Sequence, residues 1–262
     1  MGKRAGAMDL KLAGKVAVVA GGSRGSDLAV AAELAAEGVA VVLTGRNPDF
    51  VKDAVATIAA AGGKVRGLAT NMVSVDDAKR IVDAAREAFG EPDILVINPP
   101  SPSMTDGFEA ITNEEYLEAH EMFTMSLVNL AREVLPAMKA RGWGRIIELA
   151  STVKTPHLDV PMPHQNTRVA SVSIIKTISF EFARYNITAN SIAPGAIQSA
   201  LATDYLERNG YDPEAFVKMT PMQRFGHGED IAALVTFLAS DRAGFISGEV
   251  IRIDGGASHS LF

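Results

Sequence analysis

The chain has 262 residues, of which 47% are hydrophobic and 21% charged, with 23 glycines, 12 prolines and no cysteine. That composition is the ordinary one of a globular α/β-sized domain, and it excludes a disulfide framework, a thiolate metal site and a cysteine nucleophile. With 25 Lys and Arg against 31 Asp and Glu, the net charge of −6 speaks against a nucleic-acid-binding face, and no apolar run reaches the roughly 18 residues that a membrane span requires. Residues 1–10 read as a flexible leader without the apolar stretch of a signal peptide, and residues 11–262 as a single domain expected in the cytoplasm.

Strand and helix signals then alternate along the chain. Lys15 to Ala20 is a β-branched run, Leu28 to Glu37 an alanine-rich helix stopped by Gly38, and Val39 to Leu43 a second strand. Asn47-Pro48 supplies an N-cap and a proline at the first helical position, and Gly62-Gly63 ends that helix. Lys64 to Ala69 is strand three, and Ser74 opens a helix with Ala78, Ile81, Val82, Ala85 and Phe89 on one face. Asp93 to Ile97 is strand four. Thr112-Asn113-Glu114-Glu115 is a capping box opening a long helix to about Arg141, Gly144 to Leu149 is strand five, and Thr167 to Tyr185 is helical with Asn186 as a left-handed cap. Ile187 to Ile192 and Gly248 to Ile253 complete the series. Such alternation predicts a parallel sheet covered on both faces, with ligands beyond the carboxyl ends of its strands. Two helices are apolar around more of their circumference than one sheet contact needs, through Met122, Phe123, Met125, Leu127, Val128 and Leu130 in one and Ile174, Ile175, Ile178, Phe180 and Phe182 in the other. A deep core or a subunit interface accounts for them.

Directly after strand one stands Gly21-Gly22-Ser23-Arg24-Gly25-Ser26-Asp27, followed by a helix. A glycine-rich turn there lets backbone N–H groups and the positive helix end approach a pyrophosphate. This loop, together with Asp93-Ile94-Leu95-Val96, Pro136 with Gly144-Arg145-Ile146-Ile147, Asn190 to Gly195, Arg224-Phe225-Gly226 and Asp254-Gly255-Gly256, resembles the short-chain dehydrogenase/reductase family over nearly the whole chain. The resemblance implies a three-layer Rossmann fold, a doubly wound seven-stranded parallel sheet with helices on both faces. It also implies a homo-oligomer, dimer or tetramer, joined through the two apolar helices, a small-molecule substrate, and NADP(H) as cofactor.

Strand two ends in Thr44-Gly45-Arg46, where an acidic residue would favour NAD. Arg46 and Arg24 offer guanidinium donors to a 2′-phosphate, so NADP(H) is expected over NAD; otherwise they are solvated surface arginines. By the same resemblance Gly21, Ser23, Gly25 and Ser26 face the pyrophosphate, Asn71 and Met72 the adenine, and Asn98, Pro194, Gly195 and Ile197 the ribose and nicotinamide. Asp27 stands where the family has its third glycine. Two charges about 5 Å apart at an effective dielectric near 20 repel by roughly 3 kcal/mol, about a hundredfold in affinity. Either Arg24 ties this carboxylate back or it sits where phosphate would bind.

The family's catalytic serine matches Ser151, but its Tyr-x-x-x-Lys has become His164-Gln165-Asn166-Thr167-Arg168, and its helix asparagine falls on Phe123. Spacing of four puts His164 and Arg168 on one helical face. An imidazole with an ordinary pKa near 6.5 can exchange a proton near neutral pH, and Arg168 retains the positive charge without a labile proton. Ser151, His164 and Arg168 are therefore the expected catalytic residues for a carbonyl–alcohol interconversion. Two alternatives stand: a scaffold that has lost redox chemistry, and a non-redox lyase similar to the halohydrin dehalogenases, which use Ser with Tyr-x-x-x-Arg. His157, Asp159 and His164 lack metal-ligand spacing, so no metal is expected. Met104, Phe108, Met162, Leu201, Tyr205, Tyr211, Phe216, Met219 and Met222 suggest an apolar pocket or lid, and with it a substrate with an apolar part, or else packing of the loops that carry them.

Overall fold

The computed structural model describes residues 9–99, 108–150, 162–199, 203, 210, 212–218 and 220–259. Its strands are β1 (Val16–Ala20), β2 (Ala40–Gly45), β3 (Val65–Ala69), β4 (Ile94–Ile97), β5 (Gly144–Leu149), β6 (Ile187–Pro194) and β7 (Val250–Ile253). Its helices are α1 (Gly25–Ala36), α2 (Pro48–Ala60), α3 (Val75–Ala88), α4 (Asn113–His120), α5 (Ser126–Arg141), α6 (Met162–Phe182), α7 (Pro213–Lys218) and α8 (Gly228–Leu238). The strands form one sheet in the order β3-β2-β1-β4-β5-β6-β7, every neighbouring pair parallel. This is the doubly wound Rossmann arrangement, and the chain reverses its direction of winding between β1 and β4.

Both faces are covered because the strands are apolar on both sides. Ala17, Val19, Val41, Leu43 and Val96 face Val30 and Leu34 of α1, Ile58 of α2 and Val235 and Leu238 of α8. The alternate residues Val18, Val42, Leu95, Ile97 and Ile146 face Ile81 of α3, Leu127, Leu130 and Val134 of α5 and Ile175 of α6. Period-two alternation thus serves two cores at once, as a buried parallel sheet requires.

The expected caps are present. Asn47 Oδ1 accepts from the N–H of Asp49 at 2.8 Å and of Phe50 at 3.3 Å, Ser74 caps α3 through Asp77 N–H, and Thr112 and Glu115 exchange both bonds of a capping box. Asn186 adopts φ 56°, the left-handed conformation that asparagine tolerates.

Three helix boundaries differ from the pattern-based reading, and each bears on the site. The first helix starts at Gly25 rather than Leu28, so Asp27 lies in its first turn. Helix α6 starts at Met162 rather than Thr167, so His164 and Arg168 both ride on it. The long helix after Thr112 is interrupted by a π turn over Glu121–Met125, which carries Phe123; such turns insert one residue and re-aim the side chains around them. Most of the apolar residues that suggested an outer contact are core: Met122, Phe123, Leu127, Leu130, Ile175 and Ile178 are all buried. On α6, Phe180 remains 92% and Val169 50% exposed.

Leu95, wholly buried at the centre of the sheet, tests this packing. Leu95→Ala is expected to lower the stability by about 2–5 kcal/mol, read as a fall in the denaturation midpoint; a fall below about 1 kcal/mol would mean that this face is not packed as described.

Candidate active site

The carboxyl ends of β1 and β4 open the crevice in which a doubly wound sheet binds its ligand. The loop after β1 is built from close approaches. Gly21 has φ 108°, and a Cβ there would fall 2.6 Å from the carbonyl oxygen of Asn98. Its N–H donates to Thr44 Oγ1 at 3.1 Å. Ser23 packs over the end of β2, since a Cβ on Gly45 would lie 2.3 Å from its Oγ. Gly25 has φ 56° with open space before it. The first and last glycines of the loop are thus required by backbone conformation, and the first by crowding as well.

Arg46 follows β2 and is exposed, and Arg24 is exposed at the N-cap of α1 with its guanidinium 4.3 Å from the Phe50 ring centre. Asn71 is exposed at the end of β3, its Oδ1 accepting from the N–H of buried Met72 at 3.0 Å. Pro194 ends β6; a Cβ on Gly195 would come within 2.8 Å of Asp254 Cα, and Ile197 bridges to Gly226. All these residues therefore stand at the carboxyl edge of the sheet or in the loops leaving it.

Asp27 is not tied back by Arg24, which lies on Phe50. Its partner is Asn98, whose Nδ2 donates to Oδ1 at 3.0 Å and to Oδ2 at 2.9 Å. Burial pushes the Asp27 carboxyl up to about 7, against the opposing pull of the Asn98 amide and the Arg168 charge. Desolvation outweighs both favourable contacts because neither touches the carboxylate with a full positive charge.

Arg168 is buried, 4% exposed. Its Nη1 donates to the Leu149 carbonyl at 2.6 Å and its Nη2 to the Pro99 carbonyl at 3.3 Å, so one side chain ties the ends of β4 and β5 together. The planar fork of arginine makes this possible, where a lysine would deliver a single point of contact. Its guanidinium lies 4.2 Å from the Phe123 ring centre, and its Nε has no partner. Burial lowers Arg168 to about 10, opposed by the charges of Glu148 and Asp27; it is cationic at neutral pH.

His164 meets the same Phe123 ring edge-on, centroids 4.9 Å apart at 81°. Burial and then the Arg168 charge depress its pKa to about 4, so the imidazole is neutral above about pH 5. Ser151, the third expected catalytic residue, lies outside the described residues, as do His157, Asp159, Met104, Leu201, Tyr205, Tyr211 and Met219. Of the residues expected to line an apolar pocket, Phe108 and Met222 are exposed.

Glu148 was missed by sequence reasoning. It is buried on β5, accepts from Ser191 Oγ at 2.8 Å and from Ser171 Oγ, and has its pKa raised by burial, with Arg168 opposing. A charged residue inside the apolar strand Gly144–Leu149 was the available signal. Among the described residues no cluster of His, Asp or Glu could hold a metal, and no helix is long and apolar enough to cross a membrane.

The raised carboxyl gives a signed prediction. A group whose pKa rises from 3.8 to about 7 on folding contributes its stability at acid pH and loses it as pH climbs through 7. Asp27→Asn, which keeps an oxygen for the Asn98 amide, is therefore expected to raise Tm by several degrees at pH 8 and by less at pH 5. An equal change at both pH values, followed by thermal denaturation, would contradict the assigned burial.

The chain is similar to well-described proteins along almost its full length. The enoyl-(acyl carrier protein) reductase family model matches residues 23–258. Dehydrogenase/reductase SDR family member 4 of Oryctolagus cuniculus is 30% identical over 250 residues, covering 95% of this chain and 96% of that protein. The crystal structure of L-sorbose reductase from Gluconobacter frateurii, complexed with NADPH and L-sorbose, superposes with a TM-score of 0.89 at 31% identity, over 97% of this chain and 100% of the other. YwfH, an NADPH-dependent reductase involved in bacilysin biosynthesis, does so with a TM-score of 0.89 at 28% identity, over 94% and 99%. From its glycine loop to its last strand, this chain belongs to the short-chain dehydrogenase/reductase family of oxidoreductases.

Proposed function

We propose that this chain binds NADP(H) in the crevice between β1 and β4 and interconverts a carbonyl and an alcohol on a small substrate with an apolar part. The observation that carries the reading is the glycine cradle beside a cationic strand end. Gly21 leaves no room for a side chain, Gly25 leaves open space at the start of α1, and Arg46 is exposed at the end of β2 with no acidic neighbour bonded to it among the described residues. The donor set suits a phosphorylated dinucleotide, and the unpartnered buried Nε of Arg168 is a donor awaiting an acceptor. Gly21, Ser23, Arg24, Gly25 and Ser26 would hold the pyrophosphate, Arg46 the 2′-phosphate, Asn71 and Met72 the adenine, and Asn98, Pro194, Gly195 and Ile197 the nicotinamide riboside. The NADPH-bound L-sorbose reductase and the NADPH-dependent YwfH support the same choice.

The cofactor, when bound, supplies or accepts the hydride. The chain's own residues act on the oxygen. Ser151 and His164 are its hydrogen-bond donors, and Arg168, locked by two backbone carbonyls, stabilises negative charge that develops there. Because His164 is neutral above about pH 5, its imidazole N–H polarises the oxygen and does not arrive as a preformed acid, the role a neutral histidine plays where its pKa is depressed. The proton that completes the alcohol then comes from water. Exposed Phe180 and Val169 on α6, with Leu117 63% exposed on α4, support assembly of two or four copies through these helices.

Two measurements test the reading. Arg46→Ala is expected to weaken NADPH binding about ten- to a hundredfold, the loss of a charge-assisted bond, and to leave NADH unchanged; cofactor fluorescence reads both. Equal loss for both nucleotides would remove Arg46 from 2′-phosphate recognition. On a ketone panel, His164→Phe is expected to lower kcat about a hundredfold with unchanged NADPH affinity. Undiminished turnover would remove His164 from the chemistry.

A further inference from the structure

The proposed crevice contains a charge of the wrong sign. Asp27 lies in the first turn of α1, with Oδ2 3.6 Å from the position that a Cβ on Gly21 would take, and both of its oxygens receive the Asn98 amide. It therefore spans the gap between the loop after β1 and the loop after β4, where the pyrophosphate and its neighbouring ribose are expected. The groups around it do not cancel its charge. On its own loop Arg24 is turned onto Phe50. From α6, Arg168 acts only through space, and Glu148 on β5 draws on the same guanidinium. Helix α8 packs against α1 at Gly228, beside Ser26 and Ala29; there Asp230 is paired with Arg224, and Glu229 bears on Glu33 further along α1. From β2 the Thr44 hydroxyl, which carries no charge, accepts from the Gly21 N–H.

Resting on the dinucleotide reading above, we propose that Asp27 sets this chain's affinity for its nucleotide: the carboxylate holds Asn98 and repels the pyrophosphate, the neutral acid does not repel it, and binding takes up one proton. Ionised, Asp27 keeps the Asn98 amide as a donor to its own two oxygens and adds a negative charge beside an incoming one. Protonated, it removes the repulsion and lets Asn98 donate to the nucleotide instead. No covalent step is involved; one proton leaves the buffer for Oδ1 or Oδ2 with each nucleotide bound. The position of the free carboxyl's titration near 7 puts the effect in the neutral range. Above it, the protonated fraction and with it the apparent affinity fall about tenfold per pH unit. The 2′-phosphate of the nucleotide titrates near pH 6 and contributes little there.

Isothermal titration of NADPH into the wild-type protein and Asp27→Asn, at pH 7, 8 and 9 in buffers of different ionisation enthalpy, separates the outcomes. The wild type is expected to weaken about fivefold from pH 7 to 8 and about tenfold from pH 8 to 9, and to take up close to one proton at pH 8. Asp27→Asn is expected to bind at pH 9 at least tenfold tighter than the wild type, with no uptake and no slope. Asp27→Gly, which removes the side chain, is expected to share the flat profile and gives a second route to it. A pH-independent affinity with no proton uptake in the wild type, or a slope that persists in both variants, overturns the role of Asp27 while leaving the dinucleotide reading in place. No binding to the wild type or either variant from pH 7 to 9 overturns the dinucleotide reading and this proposal with it.

Discussion

The Asp27–Asn98 contact joins the two loops that leave the sheet on either side of its reversal point, and the rest of the site is arranged from it. Asn98 is followed by Pro99, whose carbonyl accepts from Arg168. Arg168 lies on Phe123, and Phe123 meets His164. A single run of contacts therefore leads from the start of α1 to the first turns of α6. A change in the charge of Asp27 acts on the amide of Asn98 directly and on Arg168 through space.

Arg168 is the positive centre of this arrangement, and both Glu148 and Asp27 feel its charge. Its position is secured by carbonyl oxygens of adjacent strands rather than by a close ion pair, so its charge is spread between two carboxylates. Buried ions in this situation are costly to leave unpaired, and the cost appears as displaced titration at three places. Burial raises Asp27 and Glu148 and lowers His164, and for His164 the neighbouring Arg168 charge adds to the effect of burial. The imidazole of His164 is thereby held neutral at neutral pH.

The fold was legible because its signals are local. Period-two strands, Asn47-Pro48, the capping box at Thr112 and the left-handed Asn186 each state their own conformation. Helix starts were less so: α1 begins at Gly25 and α6 at Met162, before the apolar stripes that pointed to Leu28 and Thr167, because the small and polar residues of those first turns carry no periodic apolar signal. The residue types of the site were also visible, from Gly21 and Asp27 to His164 and Arg168. Their partners were not. Sequence proximity suggested Arg24 for Asp27, whereas the bond runs to Asn98, 71 residues away; chain topology alone brings those two together. Glu148 escaped for the same reason, because Ser171, Ser191 and Arg168 come from other elements. The pKa of His164 depends on its enclosure against Phe123 and Arg168, and a motif carries no enclosure.

The most direct test is a crystal structure of the protein grown at pH 6 with saturating NADPH. The pyrophosphate is expected over Gly21 to Ser26, the 2′-phosphate at Arg46, and the Asn98 amide released from Asp27 towards the ribose. A crevice without nucleotide, in which Asn98 still donates to both oxygens of Asp27, would contradict that arrangement.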